Sequence, residues 1–325
     1  MTKFLIGGYS GDKGAGHGIT VVEDGQASAT VPADSPSWIA LHPDLPVLYA
    51  VAETDDGHVR AWSLRDGVPA GDLGEGETGG AEPAHLTVDS SGRFLLTANY
   101  SGGSISVHQL TKEGGIGPRT DLVQHEAHGD QPRQASAHPH MIRAIGGGLV
   151  VIDLGGDAIY RYTLSDTGKL ALDDVITTPA GSGPRHVLPV GDRFYLTAEL
   201  SGELLAYDAD WQFLGAVRAS KAGDANQPSE VVSDGRYLYV GNRGPNTVTV
   251  FALDSDLPRY ITEVPVGDWP RHLALDGDQL YVANEKSHQV MALRIDPATG
   301  IPGHLRTITV PSPTVILPLP AASGR

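Results

Sequence analysis

A short phrase recurs along this 325-residue chain, and no other property narrows its possible folds as far. Each copy starts at a proline, crosses an apolar stretch to a turn, and ends a second apolar stretch on a polar residue. Six copies are continuous: PSWIALHPDLPVLYAVAE (36–53), PAHLTVDSSGRFLLTAN (83–99), PHMIRAIGGGLVVID (139–153), PRHVLPVGDRFYLTAE (184–199), PSEVVSDGRYLYVGN (228–242) and PRHLALDGDQLYVAN (270–284). Counting a last proline at 313, the copies stand 47, 56, 45, 44, 42 and 43 residues apart, so one interval alone carries an insertion. A period in the forties made of short β-rich segments predicts an all-β, seven-bladed β-propeller with four-stranded blades.

The seventh copy is split between the two ends of the chain. PSPTVILPLP (311–320) supplies an opening strand without a hairpin partner, and FLIGGYS (4–10) supplies a partner without an opening strand. Pairing them seals the ring and removes a free blade edge. Length alone suggests two domains, but a repeat architecture spreads its core between neighbours, so a single domain over 1–325 is expected.

Composition excludes several functions. The absence of cysteine rules out disulfides, thiolate metal ligands and a cysteine nucleophile. A net charge of −16 argues against a nucleic-acid partner, yet a local pair of arginines can still govern one pocket for a small anion. No 18-residue apolar run exists, and MTKFLIGGYSG lacks a signal-peptide core, so a cytoplasmic protein without membrane contact is expected, with a monomer favoured and the oligomeric state left open. The glycine-rich stretches 8–18 and 71–80 carry neither GxGxxG nor GxxxxGK[ST] and read as turns, and no GxSxG elbow is present.

Within a blade the strands run A, B, C, D outward, so the start of A and the end of B share one face. Arg185, His186, Arg271, His272, His138, His140 and His85 stand at starts of A; Glu53, Asn99, Asp153, Glu199, Asn242 and Asn284 stand at ends of B. Ionisable and amide groups from distant stretches therefore converge on one concave surface. Arg185 and Arg271 occupy matching Pro-Arg-His contexts, and two planar guanidinium forks suit an anionic substrate or, equally, structural ion pairs. Glu199 stands where other repeats place Asn242 and Asn284, with Glu53 equivalent in its own repeat, and acts either as a general base or as an arginine partner. The asparagines offer donors and acceptors to sugar hydroxyls or to turn backbone. His186 and His272 suit packing in the strand A layer. His138 and His140, two apart in an extended segment, face the same side. No third ligand accompanies them at fixed spacing, so no metal or cofactor is expected.

HPHMIRAIGGGLVVIDLGGD, GSGPRHVLPVGDRFYLTAELSGELLAYD, VSDGRYLYVGNRG and WPRHLALDGDQLYVANEKSHQVMALRIDPATG together resemble the seven-bladed propeller lactonases, which include the propeller type of 6-phosphogluconolactonase and the carboxymuconate cyclases. The resemblance spans essentially the whole chain. It implies a metal-independent site of one His, two Arg and one Glu, which by motif fall on His140 or His138, Arg185, Glu199 and Arg271; from their places at the strand ends, His138, Asn99, Asp153, Asn242, Asn284 and Glu53 are expected around the substrate. The expected reaction is hydrolysis of a small anionic sugar lactone, 6-phosphogluconolactone foremost. A muconate lyase or cycloisomerase would use the same groups without water, and a non-catalytic binding propeller is a third reading. The inserted loop 124–137 reads as a lid or as a tolerated surface insertion, with His125 and His128 its available metal ligands.

Overall fold

The computed structural model describes residues 3–127, 129, 131–223 and 225–319; His128, noted above, lies outside them. Among the described residues, all 28 strands fall into seven four-stranded antiparallel sheets. Six are simple meanders in sequence order, within 39–77, 83–124, 139–177, 184–218, 227–265 and 270–309. The seventh joins the chain ends as expected: Pro313–Pro318 pairs with Lys3–Gly8, placing Ile316 opposite Ile6 and Leu317 opposite Leu5. The chain forms two compact units, one of residues up to 30 with those from 184 on, the other of 31–183.

Second strands read as unbroken apolar runs because both of their faces are covered: all six residues of Phe94–Asn99 are buried. Outermost strands such as Gln26–Pro32 are largely exposed and polar. In the first unit, successive sheets are cemented by shared clusters. Tyr195, Leu204, Val231, Leu238 and Phe251 form one; Tyr239, Val250, Leu273, Leu280 and Leu293 the next; Phe4, Ile6, Tyr281, Val290 and Ile316 a third. Two of the buried tyrosine hydroxyls find acceptors, Tyr239 at Gly300 O (3.1 Å) and Tyr281 at Gln279 Oε1 (2.9 Å), so these two rings bury area without stranding a donor. In the second unit Tyr49, Val51, Leu86 and Leu95 pack together, and Leu96, Val107, Ile142 and Val151 do likewise.

The repeated proline marks a specific irregularity. Pro184 pairs with Ala198, yet the next paired residue is His186, so Arg185 is the extra residue of a β-bulge. The same slip isolates Arg271, His140 and Ala84 in their sheets, and sets Ser229 and Glu230 against Gly241. A bulge at a strand start re-aims its side chain away from the pleat. The residue before the proline is left-handed in five repeats, at Ser35, Glu82, Gly183, Trp269 and Ser312, with φ of 38° to 64°. Proline disfavours a helical predecessor, and the left-handed form costs a residue with a Cβ about 1 kcal/mol or more, so tertiary contacts must hold these corners.

Candidate active site

The bulged arginines of the first unit converge on carboxylates that follow the second strands. Arg185 Nη1 lies 2.8 Å from Glu199 Oε2, and its Nε donates to Ser229 O at 3.1 Å. A second arginine, Arg243, reaches the same Glu199 oxygen at 2.6 Å. Arg271 Nη1 lies 3.4 Å from Glu285, while its Nη2 donates to the Tyr9 hydroxyl and its guanidinium covers the Tyr9 ring at 4.8 Å. Arg185, Arg243 and Glu199 are 4%, 3% and 1% exposed in their side chains, whereas Arg271 and Glu285 remain at 16% and 14%. The cluster is thus tightly paired at one end and accessible at the other.

Strand register corrects one sequence expectation. Pro184 pairs with Ala198, whereas Pro228 and Pro270 pair with Asn242 and Asn284. Glu199 therefore stands one position beyond those asparagines, in a column with Arg243 and Glu285 that the repeated phrase does not mark. Ser229 explains how the arginines fit. Its hydroxyl donates to Pro270 O at 2.6 Å, its carbonyl accepts from Arg185, and a Cβ on the facing Gly241 would stand 2.7 Å from Ser229 Oγ.

Beneath the arginines lies a buried His-Glu-His group. His186 Nδ1 is 2.9 Å and His272 Nε2 is 3.4 Å from Glu230 Oε2. His272 Nδ1 accepts from Ile316 N at 3.3 Å, which assigns the proton of the neutral ring to Nε2, where it faces Glu230. Burial, and then the positive Arg185, Arg271 and Arg243, hold His186 well below the usual histidine range. Burial likewise brings His272 down to about 4, against the opposing pull of Glu230. Both rings are neutral at pH 7. Arg185 is itself lowered to about 10 by burial and by Arg243, with Glu199 opposing, and stays charged.

This makes a stability prediction. A folded-state histidine value below the unfolded one means that the unfolded chain gains protons first as pH falls. The stabilisation is complete above about pH 6.5 and drains as pH drops toward 4, by roughly 3 kcal/mol for His272 alone. Urea midpoints measured from pH 7 to 4.5 are expected to fall steeply, and His272→Gln to flatten the slope; an unchanged slope in that variant contradicts the assignment.

The second unit holds the other expected residues, and several are scaffold. Asp153 is fully buried: Oδ1 accepts from the backbone of His138 (2.8 Å), Gly155 (3.0 Å) and Gly156 (3.1 Å), and Oδ2 faces His125 Nδ1 at 2.8 Å. His125 Nε2 meets the Tyr162 hydroxyl at 3.0 Å, so this ring anchors the base of the inserted loop. Gln134, also fully buried, donates to Leu154 O at 2.8 Å, and Arg133 to the Tyr100 hydroxyl at 2.9 Å. The loop is pinned at these points, which favours the surface insertion over the lid. His138 stacks on Tyr100 at 4.5 Å and His140 meets the same ring edge-on at 5.4 Å, so both histidines do face one residue. Glu53 is buried at 8% exposure, one position past its second strand.

The three asparagines are enclosed by their own sheets. Asn99, Asn242 and Asn284 are wholly buried. Asn242 Nδ2 donates to Thr249 Oγ1 (2.8 Å) and Oδ1 accepts from Asn226 (2.9 Å); Asn99 donates to Ser104 Oγ (3.0 Å) and Asn284 to Val282 O (3.2 Å). Each amide nitrogen is bonded within its own sheet, which favours the holding of strand ends over contact with a ligand from solvent. Among the described residues no group of three or more His, Asp or Glu side chains is arranged to hold a metal, and no helix is long and apolar enough to cross a membrane.

Comparison with known proteins agrees with the fold. The chain is 29% identical to a 6-phosphogluconolactonase of Bacillus subtilis, over 98% of this chain and 97% of that one. It is 31% identical to a 6-phosphogluconolactonase of Formosa agariphila, over 91% and 93%. The structure of a periplasmic gluconolactonase of Pseudomonas aeruginosa superposes with a TM-score of 0.89 at 27% identity, covering 98% and 99%. Residues 3–318 match the family model described as lactonase, 7-bladed beta-propeller, and the chain belongs to that lactonase family.

Proposed function

We propose that this lactonase hydrolyses 6-phosphogluconolactone to 6-phosphogluconate at the arginine cluster of the first unit. The observation that carries the reading is the convergence of Arg185, Arg243 and Arg271 in a chain of net charge −16. A concentration of guanidinium groups in an acidic molecule focuses an anionic substrate and suits an oxyanion. The two lactonase relatives named above support the substrate class.

In the reaction, water adds to the ester carbonyl and gives up a proton, and the negative charge that gathers on the carbonyl oxygen is met by Arg271 with Arg185 behind it. The tetrahedral adduct collapses by breaking the acyl–oxygen bond of the ring. The freed ring oxygen takes a proton to become a hydroxyl, and the new acid leaves as a carboxylate. Glu199, matched by two guanidinium groups at 2.8 and 2.6 Å, serves to fix the arginines and not to take the proton. The proton that the water gives up is balanced by the one the freed ring oxygen takes.

A muconate cycloisomerase would use the same arginines for carboxylates without consuming water. Turnover of 6-phosphogluconolactone in isotopically labelled water separates the two. Hydrolysis places one labelled oxygen in the product carboxylate; cyclisation of a carboxymuconate with no lactone hydrolysis would contradict the proposal.

A further inference from the structure

We propose that Lys286, seated on Trp269, is the group that reads a phosphate on the substrate; this rests on the lactonase reading above and assigns its phosphate specificity to one side chain. Lys286 follows Glu285, the carboxylate that faces Arg271. Its ammonium lies 3.3 Å from the centre of the Trp269 indole, and the Arg243 guanidinium lies 5.6 Å from the same ring. Both cations thus lie against the same indole, the lysine exposed and the arginine buried. One indole therefore links the inner cations to an outer one.

Trp269 is held in place at a conformational cost. It sits in the left-handed region at φ 64°, directly before Pro270, where a bulky residue is disfavoured on both counts. Its N–H donates to Asn246 Oδ1 at 2.9 Å, its carbonyl accepts from Glu285 N at 3.1 Å, and Lys286 N donates to Asp268 O at 3.2 Å. These bonds tie the tryptophan corner to the 285–286 turn and fix the ring beneath the ammonium.

Charge argues in the same direction. Arg185 and Arg243 are matched by Glu199, and Arg271 by Glu285. Among the described residues Lys286 makes no ion pair; its ammonium rests on a ring. An aromatic face holds a cation without neutralising it, so the lysine keeps its full charge for an incoming anion. A phosphate dianion at the rim, with the ester carbonyl reaching inward to the arginines, is the ligand chemistry that uses both features.

The test compares binding and turnover of phosphorylated and unphosphorylated partners. Wild type is expected to bind 6-phosphogluconate at least about tenfold tighter than gluconate by calorimetry. Lys286→Met is expected to abolish that difference, leaving gluconate affinity and the thermal midpoint unchanged, and Lys286→Arg to restore most of it. In kinetics the loss is expected in KM for the phosphorylated lactone, with kcat and unphosphorylated turnover retained. Equal affinity for the two acids in wild type, or a preference that survives Lys286→Met, overturns the inference. Failure of the lactonase reading looks different: neither lactone is turned over, whatever the binding preference.

Discussion

Arg271→Ala is expected to lower kcat/KM for the lactone by about a hundredfold to a thousandfold, the cost of removing one good oxyanion donor. Arg271 is the suitable probe because its side chain is 16% exposed and its partner Glu285 is 14% exposed, so the fold is expected to survive with little change in thermal midpoint. Arg271→Lys keeps the charge and loses the planar fork, and is expected to recover a minority of the activity. Arg185→Ala is expected to lose a similar factor with a stability loss added, since Arg185 is 4% exposed and bonds both Glu199 and Ser229 O. Wild-type turnover in Arg271→Ala removes that residue from the mechanism.

Glu199→Gln carries the largest expected effect on stability. Two guanidinium groups, 4% and 3% exposed, share this one carboxylate, and removing its charge leaves them facing each other. Breaking a buried pair from one side costs about 3–5 kcal/mol, which in a chain of this size lowers the thermal midpoint by roughly 4–7 °C. The combined Glu199→Met, Arg185→Met and Arg243→Met variant is expected to be more stable than Glu199→Gln alone, because replacing all three members leaves no buried charge without its partner. A Glu199→Gln variant as stable as wild type would show that the buried guanidinium groups do not depend on this carboxylate.

The architecture is legible in the sequence because its determinants are local and repeated. The proline phrase marks each first strand, and the split seventh copy foretells the pairing of Phe4 with Pro318 and Ile6 with Ile316. What the phrase conceals is that its second residue is a bulge. Arg185 and Arg271 stand out as recurring Pro-Arg-His motifs, whereas Arg243 does not: GNRG places it one residue beyond the asparagine that ends the phrase. Aligning the repeats on the tyrosines 195, 239 and 281 instead of on the last polar residue puts Glu199, Arg243 and Glu285 in one column. That signal is present in the sequence. The same choice of landmark makes Asn99, Asn242 and Asn284 look like ligand groups, although a residue paired opposite the proline is covered by its own sheet. The partnership of His186 and His272 with Glu230 joins three first strands, and no spacing within one repeat encodes it.

The central claim is that the first-unit arginines bind the reacting acyl group. A crystal structure of the protein with 6-phosphogluconate tests it most directly. The product carboxylate is expected within hydrogen-bonding distance of Arg271, with Arg185 and Arg243 still held by Glu199. A sugar acid bound at another place on the chain, with Arg271 engaged by Glu285 and Tyr9 alone, would contradict it.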